Sequence, residues 1–127
     1  MVSSPLPKTP SFRLDGRSAL ITGAGRGIGR AAAVALAEAG ADVTLSARSK
    51  DEIEALANEI QAAGGTARAL KLDVTDTSLV KKKIASEGPF QILFNSAGGN
   101  RPAMLPDITE EDYDFITDVN VRASIFV

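Results

Sequence analysis

Beyond Phe12, short apolar runs and longer stripes with helical spacing take turns along the chain. Ala19-Leu20-Ile21 predicts a strand over about Ser18 to Thr22, fed by a turn at Asp15-Gly16-Arg17. From about Ile28 to Ala39 the residues are apolar nearly all round, as for a helix packed close against a sheet. Gly40 follows at the position where helices end in left-handed backbone. Val43 and Leu45 mark a second strand over Asp42 to Ala47. Ser49 to Glu52 matches a capping box, and Ile53, Leu56, Ala57 and Ile60 form the stripe behind it. Gly64-Gly65 ends that helix, and Thr66 to Leu72 predicts a third strand. A third helix opens at Asp76-Thr77-Ser78 with Leu79, Val80, Lys83 and Ile84 on its face, and Gly88-Pro89 breaks it. Phe90 to Phe94 is apolar enough for a central strand of a parallel sheet. A loop from Asn95 to Pro106 leads to a helix capped by Thr109 with Asp112, whose stripe is Tyr113, Ile116, Val119, Asn120 and Ala123.

The order is β-α-β-α-β-α-β-α. It predicts an α/β domain with a parallel sheet and right-handed crossovers. At 127 residues there is room for one domain, expected over residues 13–127. Residues 1–12, with prolines at 5, 7 and 10, read as a mobile tail that Phe12 and Leu14 pin to the domain.

The first turn carries the chemistry. Thr22-Gly23-Ala24-Gly25-Arg26-Gly27-Ile28-Gly29 joins a strand to a helix start. Glycines there let backbone N–H groups approach a ligand, and the helix dipole favours an anion. The usual dinucleotide spacing of i, i+2, i+5 fails, since Ile28 or Arg30 falls where the third glycine belongs. Gly23, Gly27 and Gly29 fit i, i+4, i+6 instead.

Composition narrows the alternatives. With no cysteine and no histidine, thiolate and imidazole chemistry and metal sites built on those residues are excluded, and no metal is expected. A net charge of −2 gives no argument for nucleic acid or an anionic membrane. No apolar run has membrane-spanning length and the start has no signal-peptide core, which points to the cytoplasm.

The spacing Thr22-Gly23, Gly27, Gly29 resembles the short-chain dehydrogenase/reductase family, and further motifs agree from Leu14 to Val127. Leu72-Asp73-Val74 and Asn95-Ser96-Ala97-Gly98 stand where that family has its adenine site and an Asn-Asn-Ala-Gly motif, from which Ser96 departs. Asn120 in Asp118-Val119-Asn120-Val121 stands at the family's catalytic asparagine.

The resemblance implies a Rossmann-type doubly wound sheet in strand order 3-2-1-4, cut off after the fourth strand and the helix that follows. It implies that Gly23, Gly25, Gly27 and Gly29 line a pyrophosphate that the Ile28 N–H helps to hold. Asp73 and Val74 would meet adenine, with a plain helix cap as the other reading of Asp73. Asn95 would steady the sheet while Ala97 and Gly98 pass the ribose. Asn120 would hold a water in a proton relay, or simply bond locally at a helix bend. Where NAD enzymes place a carboxylate, the sequence has Ala47 followed by Arg48, and Arg26 sits inside the turn. Two arginines and no acid favour NADP(H) over NAD(H), unless Arg48 is only a solvated charge.

The implied reaction is hydride transfer between nicotinamide and a carbonyl or secondary alcohol, a 3-oxoacyl thioester among them. The family's serine, tyrosine and lysine are missing: Tyr113, the only tyrosine, has Thr117 four residues on. The chain thus resembles the amino-terminal half of such an enzyme, a fragment or a truncated product, expected to be inactive alone. A full-length form is expected to form homo-oligomers. A non-catalytic nucleotide-binding or interaction module is the competing class.

Overall fold

The computed structural model describes residues 5–127. The elements are β1 (Ser18–Thr22), α1 (Gly27–Glu38), β2 (Asp42–Ala47), α2 (Lys50–Ala62), β3 (Thr66–Lys71), α3 (Thr77–Glu87), β4 (Ile92–Asn95), α4 (Glu110–Thr117) and α5 (Ala123–Phe126). A 3-10 turn at Leu105–Asp107 and a π-helical turn at Asp118–Arg122 complete the chain. The sheet is parallel in the order β3-β2-β1-β4, with Ile21 opposite both Leu45 and Phe94. This is a Rossmann-like α/β fold.

Side chains alternate across a strand, so each strand feeds two layers. Ala19, Ile21, Val43, Leu45 and Ala67 join Ala33 and Ala37 of α1 and Ile53, Leu56, Ala57 and Ile60 of α2 in the main core. The alanines of α1 let it lie close against the sheet, as their small size predicts. On the other face Arg68 donates from Nε to the Thr44 hydroxyl and from Nη2 to the Glu87 carbonyl at the end of α3. The crossovers reverse direction after β3, so β1 and β4 part at their C-terminal ends.

Several expectations need correction. Ser49 is the residue before α2, but its hydroxyl accepts no capping bond. No capping box forms there, and Glu52 is released for another contact. Leu79 is exposed, leaving Val80 as the buried residue of α3. The fourth strand starts at Ile92 rather than Phe90; it lies at the sheet edge, as the order 3-2-1-4 implies, with Leu93 half exposed. Gln91 is occupied before the strand begins: its side-chain oxygen accepts from the Ser18 amide and hydroxyl.

The last helix carries a π turn at Asp118–Arg122 instead of running as regular α-helix. Phe115, Val119 and Ala123 pack together with Val74, while Tyr113 faces outward. Phe12 is 91% exposed and pins nothing, whereas Leu14 packs on the main core and its N–H bonds the Ala39 carbonyl. The tail expected over residues 1–12 lies partly outside the described residues; Pro5 to Phe12 is irregular and exposed.

Candidate cofactor site

A cleft of about 850 Å³ opens at the C-terminal ends of β1, β2 and β3. The glycine turn forms one wall. Gly23 and Gly27 have φ of +61° and +58°, which glycine adopts without strain. Gly29 is buried where the helix crosses the turn: a Cβ on it would stand 2.1 Å from the Gly23 carbonyl oxygen. The backbone N–H groups of Gly25, Arg26, Gly27 and Ile28 have no partner among the described residues. Arg26 provides no side-chain cap, and the first turn of α1 holds no acid. The positive end of the helix therefore faces the cleft with no acid of its own first turn against it.

Arg26 and Arg48 line the cleft beside Ala47, and neither has an ion pair among the described residues. Asp73 and Val74 lie on the far wall. Asp76 caps α3 by accepting from the Leu79 N–H, so Asp73 is not needed as a cap. Oδ1 of Asp73 accepts from the Thr75 N–H (2.9 Å) and hydroxyl (2.7 Å), leaving Oδ2 without a partner among the described residues.

Those bonds, the hydroxyl's first, hold the Asp73 carboxyl below its usual range; partial burial opposes them and the Arg48 charge adds to them. A carboxyl lowered on folding stabilises the fold above its unfolded value of 3.8, and the contribution fades as pH falls through the folded value. Asp73→Asn is thus expected to melt below the wild type above about pH 4, with the gap closing in stronger acid. Melting temperatures across that range check this, and a gap independent of pH refutes it.

The β4 loop forms the remaining wall with Ser96, Ala97 and Gly98. Thr22 stays out of the cleft, buried, and its hydroxyl oxygen accepts both the Ser96 and the Ala97 N–H at 3.1 Å. Asn95 also stays out, accepting from the Thr22 hydroxyl and donating to the Ser124 carbonyl. Thr22 and Asn95 steady the cleft without lining it.

Asn120 is absent from the cleft wall too. Its Nδ2 donates to the carbonyls of Ile116 (2.8 Å) and Gly99 (2.7 Å), and its Oδ1 accepts the Gly99 N–H. The side chain is spent in fixing the π turn and tying it to the β4 loop. Local bonding at a bend was one reading of this residue, and the structure shows that bonding.

The sequence reading missed Ser49, Glu52, Thr75 and Phe115 as lining residues. Arg101, within the loop from Asn95 to Pro106, lines the cleft; it stacks 4.0 Å from the centre of the Phe115 ring and pairs with Glu111 and Asp112. No His, Cys, Asp or Glu cluster among the described residues is suited to a metal ion.

The short chain dehydrogenase model matches residues 17–127, nearly the whole sheet and every wall of the cleft. The chain belongs to the short-chain dehydrogenase family. It is 42% identical over 122 residues to versicolorin reductase 1 of Aspergillus parasiticus, covering 92% of this chain and 47% of that protein. Among solved structures of the family it resembles gluconate 5-dehydrogenase from Burkholderia cenocepacia, in complex with NADP and tartrate, at TM-score 0.80 and 37% identity. That match covers 91% of this chain and 47% of the other. A 3-oxoacyl (acyl-carrier-protein) reductase from Agrobacterium tumefaciens with NADP bound matches at TM-score 0.82 and 36% identity, covering 91% of this chain and 46% of the other. The chain spans about half the length of these short-chain dehydrogenases. No helix among the described residues is long and apolar enough to cross a membrane.

Proposed function

We propose that residues 13–127 hold NADP(H) in this cleft and serve a hydride transfer between nicotinamide and the carbon of a carbonyl or secondary alcohol. One observation carries the reading: four unpartnered turn amides and two unpaired arginines line a single cleft that has alanine at the end of β2. The amides and the helix dipole suit a pyrophosphate. Arg26 and Arg48 suit the extra phosphate of NADP, and Ala47 offers nothing to reject it. Asp73 Oδ2, without a partner among the described residues, suits the amino group of an adenine. When bound, the cofactor supplies the hydride.

Asn120 is proposed to serve the proton path by shaping the π turn, a device frequent at functional sites. The relatives support a carbonyl or alcohol substrate class; a 3-oxoacyl thioester rests on one of them alone. NAD(H) is the weaker cofactor. We place the protein in the cytoplasm, and homo-oligomers belong to a form of the relatives' length.

Tyr113 favours the non-catalytic reading for these 127 residues by themselves. It is 65% exposed on α4 and does not line the cleft. The purified chain is expected to bind NADPH, seen by fluorescence, without consuming it when a carbonyl compound is added. Failure to bind overturns the cofactor reading; carbonyl-dependent loss of NADPH absorbance overturns the assignment of Tyr113 as a bystander.

A further inference from the structure

The acidic residue beside the glycine turn is not at the end of β2. It is Glu52, in the first turn of α2. With no capping box to close, its side chain lies across the glycine turn. A Cβ built on Gly25 would stand 2.5 Å from Glu52 Oε2 and 3.1 Å from Glu52 Cβ. The contact places the Glu52 carboxylate against Gly25, which falls outside the i, i+4, i+6 set and has no positive φ.

Glu52 lines the cleft together with Arg26, Arg48 and Ser49. It forms no ion pair among the described residues, with those arginines or any other base. Asp73 across the cleft is near enough to Arg48 for the guanidinium to lower its pKa. The adenosine side of the cleft thus holds two cations and two carboxylates.

We propose that Glu52 is a specificity residue that restrains the preference for a 2′-phosphorylated dinucleotide. This rests on the cofactor reading above. Its carboxylate repels a phosphate held by Arg26 and Arg48 and has no like charge to oppose in a free ribose hydroxyl pair. The arginines attract the phosphate, Glu52 opposes it, and NAD(H) is left a share of the site.

Glu52→Gln keeps the shape against Gly25 and removes only the charge. Isothermal titration of the 127-residue chain with adenosine 2′,5′-bisphosphate and with adenosine 5′-monophosphate compares probes that differ only at the 2′ position. Glu52→Gln is expected to tighten the 2′-phosphorylated probe roughly three- to tenfold and to move the other less than about twofold, with the gap shrinking in high salt. Equal changes for both probes, no change, or weaker binding of the 2′-phosphorylated probe overturns the proposal while leaving the cofactor reading intact. Wild-type chain that binds neither probe overturns both.

Discussion

Gly23→Ala is expected to destabilise the chain by about 2–4 kcal/mol, from backbone strain and overpacking acting together. The φ of +61° is strained for any L side chain. The added methyl would also stand 2.7 Å from the Ala97 nitrogen and 2.8 Å from both Ala97 Cα and the Ser96 carbonyl carbon. Those are backbone atoms, held in place by the Thr22 hydroxyl, so no rotamer change relieves the clash. Gly27 separates the two causes. Its φ is +58°, but a Cβ there would meet nothing within 4 Å. Gly27→Ala is expected to cost only the conformational part, about 1–2 kcal/mol. Urea unfolding with an unchanged slope measures both. Equal losses for the two variants would remove the close approach of the turn to the β4 loop as a factor.

Arg48→Ala is expected to weaken NADP binding by about 1.5–3 kcal/mol, roughly ten- to a hundredfold, and NAD binding little. Arg48 is exposed and unpaired among the described residues, so the mutation strands no buried partner and the fold is expected to keep its stability. The loss comes from one charge-assisted fork to phosphate. Arg26 remains, so residual preference for NADP is expected. Titration of both dinucleotides into wild type and variant checks this. A parallel loss for NADP and NAD would make Arg48 a general cleft residue.

The layout of strands and helices was legible in the sequence because its causes are local. Apolar spacing, Gly40 after α1, and the Thr109–Asp112 capping box that closes as expected are decided within a few residues. The glycine turn was legible for the same reason. What was not legible depends on distant partners. Ser49 and Glu52 carry the capping pattern, yet Glu52 lies against Gly25, far away in sequence. The Asn120 amide bonds Gly99, 21 residues away, as well as Ile116, and Phe115 rather than Tyr113 packs inward. Arg101 meets α4 through Glu111, Asp112 and the Phe115 ring together.

One threonine divides the labour between the two loops that meet at the crossover. By taking both the Ser96 and Ala97 amides, the Thr22 oxygen leaves the β4 loop with few backbone donors for a guest, while the facing turn keeps its amides free. The pull on negative charge is therefore lopsided: a polyanion is drawn toward the β1 flank, since the one cation of the opposite flank, Arg101, is already paired with Glu111 and Asp112. A molecule charged at one end and neutral at the other would enter in a single orientation.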